Sequence, residues 1–281
     1  MYKRGDFHSH SNASDGRLPP RELVNLAKTQ GLDIISITDH DTVSGLEEAI
    51  SQSSTIGIKV IPGIELSTLY NGTSVHVLGY FNNIDDIHTE FKAFLKDMGN
   101  YRIKRAKKII YNLYKFFNIK LNYEDVLKSA HGIVARPHIA KAIIDAGYNY
   151  TFDYIFSNFI GENSPAYVPN KKLTTEEGIS ILKSMKAMTV LAHPVLIKKL
   201  NIEDVIKLPF DGIEAIYPAN TDEDTFKFID YANKYNKIIS AGSDFHGLDE
   251  KDSKHGHYPG VVYLEEDRIE LFLNKLNSMS K

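Results

Sequence analysis

Amphipathic and apolar segments alternate through residues 1–80. Apolar positions at helical spacing predict helices over 19–30 and around 43–53. Short apolar runs predict strands at 33–38, 58–61 and 75–80. Several of these runs are too apolar for a strand with one face in water. The pattern therefore favours a parallel sheet with helices outside it.

The alternation stops near residue 85, and helical spacing dominates from there to about residue 183. The helices predicted in this region are 86–117, 123–129, 136–146 and 152–159. Strands then return, and the elements predicted for the rest of the chain are strands at 188–192, 212–216, 238–241 and 261–264 and helices at 225–234 and up to about 278. We expect an α/β domain formed by 1–84 and 184–281, interrupted by an inserted helical subdomain at 85–183.

Composition restricts the chemistry more than the fold. The 281 residues are 42% hydrophobic and 25% charged, as in an ordinary globular protein, and the net charge is −3. That charge argues against broad electrostatic binding of nucleic acid but leaves room for a local basic patch. The chain has no cysteine, which excludes a thiolate metal site, a disulfide and a cysteine nucleophile. With no apolar signal region and no apolar run long enough to cross a membrane, we expect a cytoplasmic protein.

Residues of metal-ligating types stand at or beside the ends of the predicted strands. The full set is His8, His10, Asp15, His40, Glu65, His76, His193, Asp244 and His246. Because the carboxyl ends of parallel strands meet at one mouth of a barrel, these side chains are expected to converge. Imidazole and carboxylate suit Zn²⁺, Mn²⁺ or Fe²⁺, and this set exceeds the needs of one ion. Taken singly, each residue could instead cap a loop or fill a niche in the core.

Short motifs around these residues resemble, in their order, those of the polymerase and histidinol phosphatase (PHP) phosphoesterases. They are His8-Ser9-His10, Ser14-Asp15-Gly16, Thr38-Asp39-His40-Asp41-Thr42, Gly63-Ile64-Glu65, the strand of His76, Ala192-His193-Pro194 and Ser243-Asp244-Phe245-His246. The resemblance covers both ends of the chain. It implies a distorted seven-stranded (βα) barrel, the PHP fold, with three divalent metal ions per chain, Mn²⁺, Fe²⁺ or Zn²⁺.

The resemblance also implies which residues hold each ion. The first ion is expected to be held by His8, His10, Glu65 and Asp244. The second is expected to be held by Glu65, which bridges the two ions, together with His76 and His193. The third is expected to be held by Asp15, His40 and His246. Glu65, His193 and Asp244 are the expected catalytic residues. Some family members have histidine where this chain has Asp15, a difference that bears on metal preference.

The predicted insert contains Ala135-Arg136-Pro137-His138-Ile139-Ala140, which resembles the PHP subgroup that includes nucleoside 3′,5′-bisphosphate phosphatases. In that subgroup the insert lies over the metal site and supplies phosphate ligands. Arg136 and His138 are therefore expected to bind substrate phosphate, or His138 to protonate the leaving group. The planar fork of Arg136 suits phosphate oxygens, although an arginine at a helix start can equally pair with a surface carboxylate. The basic stretch at 102–108 is either a solvated helix face or a lid that attracts phosphates.

Other polar residues are expected to support the structure rather than to bind metal or substrate. Four histidines outside the motifs are expected at the surface or in structural roles: His88, His131, His255 and His257. Asp39 and Asp41 are expected to orient His40 and cap the next helix rather than bind metal. Glu214, inside a predicted strand, is a candidate for supporting the ligands.

The expected reaction is hydrolysis of a phosphate monoester by in-line attack of a metal-bound hydroxide, without a covalent intermediate. The favoured substrate is a nucleoside 3′,5′-bisphosphate, which would lose its 3′-phosphate. One alternative is a 5′-to-3′ exonuclease acting on short, single-stranded, 5′-phosphorylated oligonucleotides, and another is histidinol phosphatase. A different class of function is a non-catalytic PHP module that partners a polymerase, although no polymerase domain fits within 281 residues.

Overall fold

A computed structural model describes residues 2–129, 134, 136–169, 171, 173–247 and 255–280. The strands within these residues are, in chain order, β1 Arg4–Asp6, β2 Ile34–Ile37, β3 Lys59–Tyr70, β4 Thr73–Tyr80, β5 Met188–Leu191, β6 Gly212–Ile216, β7 Ile238–Ala241 and β8 Leu264–Glu265. The helices are α1 Pro20–Thr29, α2 Leu46–Ile56, α3 Thr89–Phe117, α4 Tyr123–Ser129, α5 Arg136–Asp145, α6 Phe152–Asn158, α7 Thr175–Ser184, α8 Ile202–Ile206, α9 Asp222–Lys234 and α10 Glu266–Ser278.

The predicted helices are confirmed, with ends shifted by a few residues. Other details differ from the predictions. The strand predicted at 58–61 continues to Tyr70, the strand predicted at 261–264 is limited to Leu264–Glu265, and the helices α7 and α8 were not predicted. Helix α8 depends on a local signal, because the Asn201 side chain accepts a hydrogen bond from Glu203 N and caps its first turn.

The strands form one sheet in the order β7-β6-β5-β4-β3-β2-β1-β8, and β7 also bonds to the segment that follows β1. Phe7 N donates to Ala241 O at 3.0 Å, and Asp244 N donates to His8 O at 2.8 Å, which joins β7 to the segment after β1. Strands β1 to β7 thus close into the expected distorted barrel. The expectation of an all-parallel sheet was wrong, since β4 runs antiparallel to both β3 and β5. A tight turn at Asn71 and Gly72, both with positive φ, joins β3 directly to β4 without a helix.

Helix α10 closes the end of the barrel opposite the carboxyl ends of the parallel strands. Phe272 packs on Phe7 and Tyr80, with ring centroids 4.0 Å and 5.0 Å away. The Asn82 side chain, just after the reversed strand β4, donates to Leu276 O at 2.9 Å. With this end filled by buried side chains, the opposite mouth is the one left for polar groups.

The chain divides into two compact units, residues 1–92 with 172–281 and residues 93–171. These boundaries differ from the predicted 85–183, chiefly because α7 packs on β3 and β4. Thr175 Oγ1 lies 2.8 Å from Thr68 Oγ1, and a Cβ added to Gly79 would lie 2.7 Å from a methyl of Leu182. Residues 93–171 have a hydrophobic core of their own, which includes Ile109, Leu113, Ile139, Ile143, Ile155 and Ile160. Among the helices that the structure describes, none has the length and apolar character to cross a membrane.

Candidate active site and metal centre

His8 and His10 lie just beyond β1, on an extended segment between two neighbours. Ser9 forms a parallel bridge with Phe245, and Thr38 N donates to Ser9 O at 2.9 Å. Side chains alternate along extended backbone, so residues two apart point the same way, and both imidazoles are fully buried. Gly16 closes the following loop against this segment, because a Cβ at that position would lie 2.2 Å from His10 O.

Four side-chain atoms from distant parts of the sequence face one another in the mouth of the barrel. His8 Nε2 and His10 Nε2 are 3.1 Å apart, and each lies 3.0–3.2 Å from Glu65 Oε2 and from Asp244 Oδ1. Ligands bound at about 2.0–2.1 Å to a tetrahedral ion lie about 3.3 Å apart, so these atoms have the spacing of one ion's ligands. Asp244 Oδ1 is buried, and although both imidazole nitrogens lie within 3.2 Å, no described group has hydrogen-bond geometry to it, which fits an oxygen that a cation satisfies.

The second oxygen of Glu65 faces another pair of imidazoles. Glu65 Oε1 lies 2.9 Å from His76 Nδ1 and 2.9 Å from His193 Nε2. His40 Nδ1 lies 3.2 Å from Glu65 Oε2. With His8 and His10, five imidazoles thus surround one buried carboxylate. His76 reaches this place from the first half of β4 because that strand is reversed, and it pairs with Ser67 beyond Glu65 on β3.

Asp15 is the centre of a third group. Its Oδ1 lies 3.3 Å from His246 Nε2 and 3.7 Å from His10 Nδ1, and its Oδ2 lies 3.8 Å from His40 Nε2. His10 therefore presents one ring nitrogen to the first group and the other to this one, which the sequence did not indicate. The structure brings all nine predicted ligands into one cluster. Which atoms bind which ion stays a prediction.

The charges of this cluster are strongly coupled. Burial raises the pKa of Glu65, but the facing imidazoles of His40, His8 and His76 outweigh it and hold that pKa well below its usual range. Burial lowers the pKa of His10, but Asp244 and Glu65 outweigh it and raise that pKa to about 10. Burial lowers the pKa of His40 to about 4. Without a metal ion, the pocket thus keeps protons near its carboxylates, and a divalent cation has to displace them.

Glu214 orients two of the predicted ligands. It is fully buried in β6, where Oε1 lies 2.9 Å from His8 Nδ1 and Oε2 accepts from His193 N at 2.7 Å. A carboxylate on Nδ1 fixes the tautomer that leaves Nε2 free for a metal. The backbone of Gly242 packs into this contact, since a Cβ there would lie 2.1 Å from His8 Cβ and 2.6 Å from Glu214 Oε1.

Tyr217 is a site residue that the sequence analysis did not single out. Its hydroxyl donates to Asp244 Oδ2 at 2.8 Å, and it follows β6 in the position where other strands carry ligands. Its position directly after a strand was the signal for Tyr217 that the sequence offered.

The backbone is strained at two of the predicted ligands. His193 and Asp244 have φ values of 26° and 52°, in the left-handed region that non-glycine residues seldom occupy.

Asp39 and Asp41 do not cap α2, contrary to expectation. Helix α2 begins after Gly45 without a side-chain cap. Asp39 instead holds the loop that carries Asp15, because it accepts from Ser11 N at 2.8 Å and from Ser14 Oγ at 2.6 Å. Asp41 accepts from Ser67 N at 2.9 Å and ties the His40 segment to β3.

Of the histidines outside the motifs, some lie at the surface and one lies in the site. His88 and His257 are exposed, as expected, and His131 lies outside the described residues. His255, however, lies in the site, with Nε2 3.7 Å from Asp244 Oδ2 and its ring 4.6 Å from that of His246. No spacing in the sequence marked His255, because it stands 14 positions after the end of β7 rather than beside a strand end.

Arg136 and His138 begin α5 in the unit formed by 93–171. The Arg136 guanidinium donates to Ile160 O at 3.3 Å and lies 5.5 Å from the ring centroid of Tyr167. The predicted alternative, pairing with a surface carboxylate, is not seen among the described residues. Arg105 donates to Val168 O at 2.8 Å, and burial together with the charge of Arg136 lowers the pKa of Arg105. Two arginines close enough to repel each other suit an anion.

Comparisons with known proteins agree with this geometry. A family model described as the PHP domain matches residues 6–162. A 5′-3′ exoribonuclease of Haemophilus influenzae is 31% identical over 88% of this chain and 91% of its own length. A 3′,5′-nucleoside bisphosphate phosphatase of Chromobacterium violaceum is 28% identical over 90% of each chain. A solved structure from Bifidobacterium adolescentis, assigned as a metal-dependent phosphoesterase, is 27% identical and superimposes with a TM-score of 0.74 over 96% of each chain.

The matched segment spans more than half of the chain and contains the motifs from His8 to Arg136. Its barrel closes as the family fold requires, and its histidines and carboxylates meet in one mouth. The chain belongs to the PHP family, and it is a metal-dependent phosphoesterase.

Proposed function

We propose that this protein removes the 3′-phosphate of nucleoside 3′,5′-bisphosphates with a cluster of three divalent metal ions. The observation that carries the cluster is Glu65, whose two oxygens face separate groups of imidazoles at 2.9–3.2 Å. The Chromobacterium violaceum relative, named for this phosphatase activity, supports the substrate. A cytoplasmic location belongs to the same proposal.

The donor set fits such ions. Imidazole nitrogen and carboxylate oxygen suit Mn²⁺, Fe²⁺ or Zn²⁺, and Asp15 adds a carboxylate to the third group. We assign His8, His10, Glu65 and Asp244 to the first ion, Glu65, His76 and His193 to the second, and Asp15, His40 and His246 to the third. Bound together, such ions neutralise phosphoryl oxygens and lower the pKa of the attacking water.

The protein's own groups would hold the reactants. Glu214 and Tyr217 keep His8 and Asp244 in position through hydrogen bonds of 2.9 Å and 2.8 Å. Arg136 would bind a phosphate of the substrate through its planar fork, with Arg105 as a second cation beside it. His138 would donate to phosphate or give a proton to the leaving O3′. We propose that this arginine pair, which lies within the predicted insert at 85–183, selects the substrate.

A second candidate function is 5′-to-3′ exonuclease activity on short 5′-phosphorylated oligonucleotides. The Haemophilus influenzae relative is named for this activity, as are relatives of Salmonella typhimurium and Escherichia coli that are 30% identical over 86% of this chain. Release of the 5′-terminal nucleotide as its 5′-monophosphate breaks the ester at the same O3′. One site could therefore catalyse both reactions, and a nucleoside bisphosphate would be its smallest substrate.

The test compares three substrates under one condition. Metal-reconstituted protein is incubated with adenosine 3′,5′-bisphosphate, histidinol phosphate or a 5′-phosphorylated oligoribonucleotide, and the products are separated by chromatography. The proposal predicts that the bisphosphate yields adenosine 5′-monophosphate and phosphate, with kcat/KM at least about 10-fold above that for histidinol phosphate, a difference of ~1.4 kcal/mol in transition-state binding. Turnover of histidinol phosphate alone would refute the nucleotide proposal. No turnover of any substrate at full metal occupancy would indicate a non-catalytic module.

A further inference from the structure

The two compact units carry opposite net charge. Residues 93–171 contain twelve Lys or Arg and six Asp or Glu, a net charge of +6 in a chain whose net charge is −3. The rest of the chain therefore carries −9. Seven basic residues and no carboxylate lie between Asp97 and Glu124. A charge asymmetry of this kind indicates an anionic partner for the helical unit.

Three lysines and a tyrosine of α3 share one exposed face. At about 100° per residue, four exposed side chains fall within about 60° of the helix circumference. We call them the basic stripe, and they are Lys104, Lys108, Tyr111 and Lys115. The opposite face of α3 holds Ile109 and Leu113 in the core of the unit. The basic stripe is thus the water-facing side of a helix whose position is fixed by packing.

Exposed aromatic rings border a lysine of the basic stripe and a lysine of the segment after α3. Tyr111 is 54% exposed and Tyr114 is 53% exposed. Lys108 Nζ lies 4.8 Å from the ring centroid of Tyr111, and Lys120 Nζ lies 5.9 Å from that of Tyr114. Of the twelve large apolar side chains that are exposed in the described part of the chain, eight lie in residues 93–171. Exposed rings that border cations are the arrangement by which proteins stack bases and neutralise phosphates together.

The length and chemistry of the basic stripe favour one occupant. Residues 104–115 cover about 17 Å of helix, enough for several phosphates of a single strand. A duplex would hide its base faces from the rings, and an acidic peptide would pair with the lysines but leave the rings in water. We propose that the basic stripe binds single-stranded oligonucleotides, with Tyr111 stacking on a base and the lysines contacting phosphates. This concerns binding and holds for either reaction of the metal site.

The test is fluorescence anisotropy with the full chain and a labelled, 5′-phosphorylated RNA of about 10 nucleotides, within the site size of such surfaces. EDTA prevents hydrolysis, and the titration is repeated across a salt series. Tyr111→Ala should weaken binding by about 10-fold, whereas Tyr111→Phe should keep most of the affinity because it keeps the ring. Lys108→Ala with Lys115→Ala should reduce the salt slope by about 1.4, since each phosphate contact of a single strand contributes about 0.7.

Matched controls come from exposed residues of the barrel unit. Phe226→Ala removes a ring that is 68% exposed, and Lys59→Ala with Lys227→Ala removes two exposed lysines. These variants should bind RNA as the wild type does. A duplex probe should bind more weakly than the single strand. A single-stranded DNA of the same length shows whether binding requires RNA or any single strand. The proposal is overturned if the wild type does not bind at low salt, or if stripe and control variants share one Kd and one salt slope.

A separate assay keeps this inference distinct from the proposed reaction. Hydrolysis of adenosine 3′,5′-bisphosphate by the reconstituted variants should be unchanged, because the basic stripe contains none of the residues assigned to that reaction. Strand binding by a protein that does not hydrolyse the bisphosphate would refute the phosphatase alone. Hydrolysis without strand binding would refute the basic stripe alone.

Discussion

Replacing Glu214 by glutamine should weaken metal binding through a change of tautomer at His8. Glu214 accepts from the backbone N–H of His193 at 2.7 Å and faces His8 Nδ1 at 2.9 Å. A backbone N–H can only donate, so the single oxygen of glutamine must face His193. Its NH₂ group then faces His8 Nδ1, which has to become an acceptor. The remaining proton moves to His8 Nε2, the atom that faces Glu65 and Asp244, and a protonated nitrogen cannot bind a metal.

The expected magnitude follows from the role of such partners. Loss of a group that orients a metal-binding histidine costs roughly 10- to 100-fold in metal affinity or activity. This corresponds to about 1.4–2.8 kcal/mol. We expect Glu214→Gln near the upper end, because the same carboxylate, fully buried, contacts both His8 and His193.

The assay is a Mn²⁺ titration of chelator-treated protein, followed by calorimetry and by phosphoesterase activity. Asp211→Asn is the matched control, since Asp211 is a partly buried carboxylate just before β6 that accepts from Thr189 N at 2.9 Å, away from the site. This control should change stability but not metal affinity. Equal Kd for Mn²⁺ and equal turnover in Glu214→Gln and the wild type would refute the reasoning.

Other substitutions and conditions test separate parts of the site. Glu65→Gln should abolish turnover with the fold intact by circular dichroism, because an amide supplies one weak ligand where the carboxylate supplies two charged oxygens. Arg136→Ala should lower kcat/KM for a nucleoside bisphosphate by about 10- to 150-fold with full metal content, through loss of a contact of about 1.5–3 kcal/mol, and Arg136→Lys should restore part of it. Unchanged kinetics would remove Arg136 from substrate binding. Burial lowers the pKa of His10, but Asp244 and Glu65 outweigh it and raise that pKa to about 10. Because a metal ion must displace the proton on His10, metal affinity should fall as the pH falls below about 10. Calorimetry in buffers of different ionisation enthalpy measures the proton released. Gly242→Ala should lower the thermal midpoint, because its Cβ would lie 2.1 Å from His8 Cβ.

The parts of the site that the sequence predicted are those with a local signal. A histidine or carboxylate directly after an apolar run is readable as a strand-end ligand, as with His193 after β5 and Asp244 after β7. The order of the motifs then indicated the barrel. Most helices were also readable, because apolar periodicity is local. Helix α7 was not predicted, although the Thr174 side chain that caps it is a local signal.

What the sequence did not predict depends on pairing between distant segments. The reversal of β4 follows from a tight turn after an unusually long strand. Because β4 runs antiparallel to β3, His76 lies at the mouth of the barrel although it stands in the first half of its strand. The contact of Glu214 with His8 joins residues 206 positions apart. His10 serves two groups because Asp15 approaches its second ring nitrogen. No pattern within one segment encodes these distances.

The most direct test of the account measures metal content against turnover of adenosine 3′,5′-bisphosphate in one titration. Chelator-treated protein is reloaded with Mn²⁺, Fe²⁺ or Zn²⁺, and bound ions per chain are counted by mass spectrometry at each point. We expect no turnover without metal and full turnover only above one ion per chain, because Glu65 lies between separate ligand groups. A stoichiometry that never exceeds one ion per chain, or turnover that survives chelation, would contradict it.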